Sequence, residues 1–241
     1  PPRSTLFPYT TLFRSGGLSK DFILETLITQ YQRLESHDGS MILWFDACLF
    51  DQAMLCHILA CLQVLGNREA ELVCVGAFPG IEPFHGLGQL QPEDFVSLHH
   101  RRQPVTNDQF HFAGYVDQAF ALQDMTAFAA LARQADAPLP WVPAAVSRWL
   151  QEQPDEVTGL GRLEQLALDA VRLGCQSPSE IFKYVSTKET PPQFWGDIAL
   201  WAKINALADR NLVRIEGPSE TLPQWEGISE LRMFRIIPAE V

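Results

Sequence analysis

Two short apolar runs, separated by an apolar segment of helical length, constrain the fold of this chain more than any other feature. The runs are residues 41–45 (MILWF) and 72–78 (LVCVGAF). Such runs suit strands that are covered on both faces, as in a parallel sheet. Residues 52–65 between them are almost entirely apolar and long enough for a buried helix. The order strand, helix, strand predicts a β-α-β unit, and therefore an α/β domain with a partial parallel, Rossmann-like sheet.

Helical patterns flank this unit on both sides. Residues 19–36 have the apolar spacing of a helix with one buried face. Pro92, followed by two acidic residues, predicts the start of another helix. Thr106 and Gln109 have capping-box spacing. Three more helices are then predicted, over residues 108–122, 125–134 and 142–153. The α/β domain therefore carries a helical extension.

A second module is predicted after residues 154–161 (PDEVTGLG), which are rich in helix breakers and indicate a domain boundary. Gly174 is placed to close a helix, Ser177 and Glu180 form a capping box, Asp197 is expected to cap a third helix, and Asn211 to end it. The predicted helices cover residues 162–173, 177–186 and 197–210, and the predicted strands cover 212–215 and 231–237. Three helices followed by a hairpin are typical of a winged-helix-like α+β module. The predicted domains are thus 16–153 and 159–241.

The first fifteen residues follow none of these patterns. Residues 5–15 read TLFPYTTLFRS, with neither helical nor strand periodicity. They resemble a sequencing-library adapter translated in frame, so residues 1–15 are excluded from the fold prediction. We expect the natural sequence to enter between Ser15 and Ser19 with its own beginning missing, which would make the chain a fragment containing a truncated α/β domain.

Composition and charge narrow the classes of function. The net charge is −11, from 18 Lys and Arg against 29 Asp and Glu, which opposes binding to polyanions. No apolar run approaches the roughly 18 residues that a transmembrane helix needs, so no membrane association is predicted. The five cysteines include no CxxC pair. This cysteine usage favours a reducing, cytoplasmic location and argues against a structural zinc site.

Several motifs, taken in order, resemble one bacterial family. Residues 42–52 (ILWFDACLFDQ) combine an apolar strand, a Trp-Phe-acid ending and an Asp-Gln pair at the next helix. Further matches are GLGQL at 86–90, RQPVT at 102–106, LP at 139–140, GLGRLE at 159–164 and FWGD at 194–197. Together they resemble the family called domain of unknown function 1835 over nearly everything after Lys20. The family's opening strand and its Gly-Asp-Ser-like turn are absent here, and Leu163 stands where the family commonly has Thr or Ser. That family has no established activity, so the resemblance implies a fold and no reaction.

Candidate ligand-binding residues follow the first strand. Asp46 ends it and Asp51 lies at the start of the next helix, next to Gln52. In open α/β sheets, ligands bind outside the carboxyl ends of the strands. Two carboxylates there suit either an acid/base pair or Mg²⁺, although no metal is predicted outright. The structural alternatives are that Asp51 is an N-cap, that Asp46 is a solvated loop residue and that Gln52 is a buried, satisfied amide.

Two further candidates come from later segments. His85 lies in a glycine-rich loop after the second strand, at the same predicted edge, and it supplies a titratable group unless it is structural. Arg102 ends the basic cluster of residues 99–102. There it either complements a helix dipole or binds a phosphate or carboxylate.

The sequence leaves two functional hypotheses open. The first is a cytoplasmic ligand-binding or regulatory protein, with an α/β domain that binds a small anionic ligand and a C-terminal module that contacts a protein partner. The second is an enzyme acting on a small phosphorylated or nucleotide-like substrate, with Asp46, Asp51 and His85 at one sheet edge and Arg102 nearby. No GxSxG, P-loop or HExxH motif is present, and no cofactor is identified. Duplex DNA is not an expected partner, because residues 151–241 contain nine Lys and Arg against fourteen Asp and Glu.

Overall fold

The computed structural model describes residues 19–66, 69–224 and 228–239, so the adapter-like residues 1–15 lie outside the described part. The chain divides into two compact units. Among the described residues, unit 1 contains Ile28–Leu150 together with the short segment Thr190–Phe194. Unit 2 contains the residues up to Leu27, Gln151–Glu189 and the residues from Trp195 onward. The main division between Leu150 and Gln151 falls a few residues before the segment where helix breakers predicted it.

Unit 1 is built on the predicted strand-helix-strand order. Strand β1 (Met41–Asp46) pairs in parallel with β2 (Ala70–Val75), so that Asp46 lies opposite Val75. Helix α2 (Leu49–Val64) connects the two strands. A two-residue strand, β3 (Gln103–Pro104), pairs antiparallel with β2, which gives the strand order β1-β2-β3. The unit is therefore mixed α/β, and its parallel part consists of β1 and β2 alone among the described residues.

Strand β2 ends three residues before its predicted end at residue 78. The backbone of Gly76 lies under the ring of Trp141, and a Cβ at this position would be only 2.6 Å from Trp141 Cη2. Phe78 then turns back to form an isolated antiparallel bridge with Ile81. The residues after β2 are apolar because they pack into a core cluster, which includes Phe78 and Ile81. They do not extend the sheet.

Among its described residues, unit 1 contains four further α-helices after β2. They are α3 (Pro92–His99), α4 (Asn107–Leu122), α5 (Met125–Leu131) and α6 (Val142–Leu150). Helix α2 contacts both α4 and α6. The largest fully buried side chains of the unit include Leu55 and Leu59 of α2 and Phe128 of α5. The predicted capping box opens α4: Thr106 accepts the backbone N–H of Gln109 at 3.2 Å, and Gln109 accepts that of Thr106 at 3.0 Å.

Helix α1 (Lys20–Ser36) forms where it was predicted, but its predicted buried face is wrong. None of its residues is buried, and Phe22 and Ile28 are 55% and 53% exposed. Its contact with α2 is made by Tyr31, whose hydroxyl meets the ring of His57. Apolar spacing specifies a helix, but it does not specify what that helix packs against.

Unit 2 follows the predicted order of three helices and two strands. They are α7 (Arg162–Arg172), α8 (Pro178–Lys188), α9 (Asp197–Asp209), β4 (Val213–Glu216) and β5 (Arg235–Pro238). The strands pair antiparallel, with Val213 opposite Pro238. Leu163, Ile181 and Ile204, one from each helix, are fully buried in a shared core.

The ends of these helices agree with the sequence patterns except at the start of α9, and the last strand begins later than predicted. Gly174 and Asn211 have φ values of 95° and 55°, as expected of residues that close helices. The prediction that Asp197 caps α9 is wrong, because Gly196 is the N-cap and Asp197 is the first helical residue. The last strand starts at Arg235 instead of residue 231, because Ile228–Met233 forms a 3₁₀ turn. None of the described helices is long and apolar enough to cross a bilayer.

Candidate functional site

A compact set of hydrogen bonds joins the carboxyl end of β1 to the start of α2. Asp46, the last residue of β1, accepts the backbone N–H of Cys48 on Oδ1 at 2.8 Å. Asp51 accepts the backbone N–H of Asp46 on Oδ2 at 2.6 Å. Cys48 is the N-cap of α2, so the interpretation of Asp51 as the N-cap is wrong. Asp51 is the third helical residue, and its carboxylate reaches back past the cap to fix the end of the strand.

These hydrogen bonds bring two carboxylates and a thiol together. One carboxylate oxygen of Asp46, one of Asp51 and the Sγ of Cys48 lie within 4.8 Å of one another. Burial raises the pKa of Asp51 to about 6; the bond from Asp46 N–H opposes this shift and the charge of Asp46 adds to it. Burial also raises the pKa of the Cys48 thiol, which therefore stays neutral. The two carboxylates are the groups here that could hold a hard divalent cation or exchange a proton.

Gln52 connects this turn to β2. Its side chain is only 1% exposed, and Nε2 donates to the backbone oxygen of Asp46 at 2.7 Å. The same nitrogen lies 3.3 Å from the Sγ of Cys74 on β2. The other end of the amide is different, because the buried Oε1 has no hydrogen-bond partner among the described residues. The structural alternative for Gln52 was a buried, satisfied amide. It is correct for Nε2, which is hydrogen-bonded, but not for Oε1.

Gln52 also lines a cavity of about 230 Å³ inside unit 1. The cavity lies between α2, β2, β3, the first turn of α4 and the residues that precede α6. Leu55 and Leu72 contribute apolar wall. The remaining lining residues that matter chemically are Cys74, Arg101, Gln103, Gln109 and Trp141. Burial raises the pKa of Cys74 to about 12, so its thiol is neutral. Arg101 therefore supplies the charge of the cavity wall.

The glycine-rich loop after β2 approaches Asp46 through its backbone. A Cβ at Gly86 would overlap Asp46 Oδ2, and Gly86 has a φ of 141°. This places the loop beside Asp46, as expected from the order of the strands. The ring of His85 is stacked on Phe194, with centroids 4.1 Å apart and planes inclined by 15°. His85 thus shares the loop with Gly86, while its ring is engaged by the segment Thr190–Phe194.

Arg102 lies near the opposite end of β2. Its Nε donates to Oε2 of Glu71, the second residue of that strand, at 2.8 Å, and its Nη1 donates to the backbone oxygen of His99. The structure therefore does not bring Arg102 to the edge that holds Asp46 and Asp51. Its neighbour Arg101 lines the cavity and has no ion pair with a described acidic residue. The sequence shows residues 99–102 as one basic cluster. Only the tertiary structure distinguishes Arg101, which lines the cavity, from Arg102, which is paired with Glu71.

Comparisons of the chain with models of protein families, with curated proteins and with solved structures find no match. The candidate site therefore rests on the geometry of these residues alone.

The ionisation of Asp51 predicts a pH-dependent stability. The pKa of Asp51 in the folded chain, about 6, lies above its ordinary value of 3.8, so the proton is bound more tightly in the folded chain. This contribution is fully present below pH 3.8 and is lost as the pH rises through about 6. The free energy of unfolding of the native chain should therefore fall, relative to Asp51→Asn, between about pH 4 and pH 7. Urea denaturation across this range measures the difference, and a difference that rises with pH or stays constant contradicts the assignment.

Proposed function

We propose that this protein is a ligand-binding regulatory protein, in which unit 1 binds a small anionic molecule and unit 2 contacts a protein partner. The observation that carries the proposal is the buried Gln52, whose unpaired Oε1 belongs to a side chain lining the cavity of about 230 Å³. A buried acceptor without a partner costs about 1–3 kcal/mol. An unpaired buried acceptor in a folded protein therefore requires an explanation, and a ligand that provides the missing donor is one.

The cavity wall defines the chemistry of the ligand. Arg101 offers a guanidinium to a carboxylate or phosphate. Gln52 Oε1 accepts from an N–H or O–H group of the ligand. Trp141, Leu55 and Leu72 provide apolar surface for its body. Sites for drug-sized ligands usually measure about 300–1,000 Å³, so this ligand is smaller. A small carboxylic acid or phosphate ester that also carries an amine, amide or hydroxyl group meets these requirements.

The neighbouring arginines provide a matched test. Arg101→Gln should weaken binding of such a ligand by about 10- to 150-fold, because a hydrogen bond to a charged group contributes about 1.5–3 kcal/mol. Arg102→Gln removes the same charge from the next residue but leaves the cavity wall intact, so it should change affinity by less than about threefold. Calorimetric titration of the full chain, with ligands selected by thermal shift from amino acids, small dicarboxylates and phosphate esters, measures both effects. Equal losses in the two variants would contradict the site.

The same proposal includes the resemblance to the family called domain of unknown function 1835. It also includes a more specific fold description for each unit. A Rossmann-like description of unit 1 is supported by the parallel pair β1–β2, its connecting helix α2 and the turn at its carboxyl end. A winged-helix-like description of unit 2 is supported by the order of three helices and an antiparallel strand pair.

An enzymatic role is the alternative, and one observation favours it. The Asp51 carboxyl has a pKa of about 6 beside Asp46, which suits a group that exchanges a proton near neutral pH. Each carboxylate, however, already accepts a backbone N–H at the junction of β1 and α2. Neither residue lines the cavity. Ligand binding is therefore the better supported of the two functions.

The charges of unit 2 support a protein partner over duplex DNA. If unit 2 is winged-helix-like, α9 is its recognition helix, and Lys203 is the one basic residue of α9. Lys203 Nζ lies 3.2 Å from Glu164 and 3.8 Å from Glu152. Arg210, which follows the helix, donates to the backbone oxygen of Gly159 at 3.0 Å and also lies near Glu164. Both cations are therefore occupied within the unit and are poorly placed to neutralise phosphates.

Binding of the full chain to generic duplex DNA should consequently be weak. At physiological salt we expect a dissociation constant no tighter than the roughly 10⁻⁴ to 10⁻⁶ M of non-specific binding. Mobility-shift titrations at two salt concentrations measure both the affinity and the number of phosphates contacted. Submicromolar binding that weakens steeply with salt would assign a DNA-binding role to unit 2.

A further inference from the structure

A second cluster of ionisable side chains lies in unit 1, where α1, α2 and α4 meet. His57 Nδ1 donates to Asp117 Oδ1 at 2.8 Å. Cys61 Sγ lies 3.7 Å from the other ring nitrogen, His57 Nε2. The hydroxyl of Tyr31 contacts the same Nε2. Carboxylate, imidazole and thiol thus follow one another in the order in which a carboxylate orients a base and the base activates a nucleophile.

Local geometry and packing both create this arrangement. His57 and Cys61 are four positions apart in α2 and so share one face of the helix. Helix α4 packs along α2 and brings in Asp117, 60 residues after His57. The side chains of His57 and Asp117 are only 17% and 22% exposed, so solvent screens their attraction less than on an open surface.

The imidazole of His57 is strongly biased toward its charged form. Burial alone would disfavour the charge, but hydrogen bonds from the ring to Asp117, Cys61 and Tyr31 outweigh it and raise the pKa of His57 to about 11. These three residues come from α4, α2 and α1, so three helices supply titratable groups to the ring. An imidazolium beside a thiol favours the thiolate, which is the nucleophilic form of cysteine.

We propose that Cys61 is a reactive cysteine, held beside the His57 imidazolium, and that it takes up small-molecule disulfides by thiol–disulfide exchange. Sγ of Cys61 attacks one sulfur of the disulfide; a new S–S bond forms, the old S–S bond breaks, and the departing thiolate takes a proton from water. One disulfide replaces another, so no further oxidant is needed. His57 and Asp117 act as positioning residues. This reversible modification site is independent of the ligand cavity, which Cys61 does not line.

The other cysteines supply the contrast. Burial raises the pKa of Cys48, Cys56 and Cys74, which keeps these thiols neutral and unreactive. Cys61 and Cys175 are both half-buried and free of disulfides. Cys175 makes no hydrogen bond to an imidazole among the described residues, so it serves as the reference thiol within the same chain.

The test measures the rate at which oxidised glutathione modifies Cys61 and Cys175 in the full, reduced chain, resolved by peptide mass spectrometry. An ordinary thiol, with a pKa of about 8.5, is only a few per cent thiolate at neutral pH. Cys61 should therefore react about tenfold faster than Cys175 at pH 7, after allowance for the lower intrinsic nucleophilicity of a stabilised thiolate.

Three variants separate this role from a merely structural one. His57→Gln and Asp117→Asn should slow the reaction of Cys61 to the rate of Cys175. Tyr31→Phe should preserve or increase the rate, because Nε2–H then donates to the thiolate alone. If circular dichroism shows that the first two variants do not fold, the ratio of the Cys61 and Cys175 rates in the native chain decides. Equal rates at Cys61 and Cys175 in the native chain, both rising with pH, would overturn the proposal and leave His57–Asp117 as a structural ion pair.

Discussion

Replacing Gly86 by alanine should destabilise unit 1 by about 2 kcal/mol or more. Gly86 has a φ of 141°, a region that costs a side-chain-bearing residue about 1–3 kcal/mol. The new Cβ would also overlap Oδ2 of Asp46. Asp46 cannot simply turn away, because its Oδ1 is held by the N–H of Cys48 at 2.8 Å. The variant should therefore disturb the turn at the end of β1 as well as lower stability.

Gly88 is the matched control for this effect. It lies two residues further along the same loop, in the 3₁₀ turn Leu87–Gln89, and a Cβ there meets no atom within 4 Å. Gly88→Ala should change stability by less than about 1 kcal/mol in either direction. Urea denaturation of both variants, followed by circular dichroism, compares them directly. Similar stabilities would show that the loop does not approach Asp46 as described.

Replacing Gly161 by alanine should destabilise unit 2 by about 1–3 kcal/mol, the usual cost of overpacking. A Cβ there would lie 2.6 Å from the backbone oxygen of Glu152, an atom that no side-chain rotation can move. The segment around Glu152 is itself fixed, because its Oε1 accepts the N–H of Leu163 at 3.0 Å and Gln151 O accepts that of Arg162 at 2.9 Å. The start of α7 would have to shift.

Gly196 isolates the steric part of this cost. Like Gly161 it is a helix N-cap with extended backbone, with φ of −71° against −74°, but a Cβ at Gly196 meets nothing within 4 Å. Gly196→Ala should therefore cost less than about 1 kcal/mol, from the weaker capping of alanine. Thermal denaturation of the two variants gives the comparison. A loss at Gly196 as large as that at Gly161 would attribute the effect to capping instead of crowding.

The elements that the sequence predicted correctly depend on neighbours close in the chain. Apolar runs and helical spacing located β1, α2 and β2, and reciprocal capping located the starts of α4 and α8. Asp46, Asp51 and Gln52 were placed together for the same reason, since five or six residues separate them. Where the prediction went wrong, the decisive contact was distant: Gly76 under Trp141 ends β2, and Glu71 draws Arg102 away from the site.

The most informative contacts could not be found by reading along the chain. The sequence does not show that Gln52 Oε1 lacks a hydrogen-bond partner. The structure shows it, because Nε2 is the atom that contacts Asp46 O and Cys74 while Oε1 has no partner among the described residues. The spacing of His57 and Cys61 was a usable local signal for a shared helix face. Asp117 supplies the carboxylate that orients His57. It lies 60 positions from His57, and no sequence pattern connects the two residues.

The short segment Thr190–Phe194 makes unit 1 discontinuous in sequence. Gln193 Nε2 donates to the backbone oxygen of Ala47 at 2.7 Å, across 146 positions, and Phe194 stacks on His85. During synthesis, therefore, a nascent chain that has emerged only as far as Leu150 still lacks these two contacts. Translation must proceed more than forty residues beyond Leu150 before the turn that holds Asp46 gains its final hydrogen bond. A protein truncated after Leu150 would lack this part of unit 1, together with its contacts to Ala47 and His85.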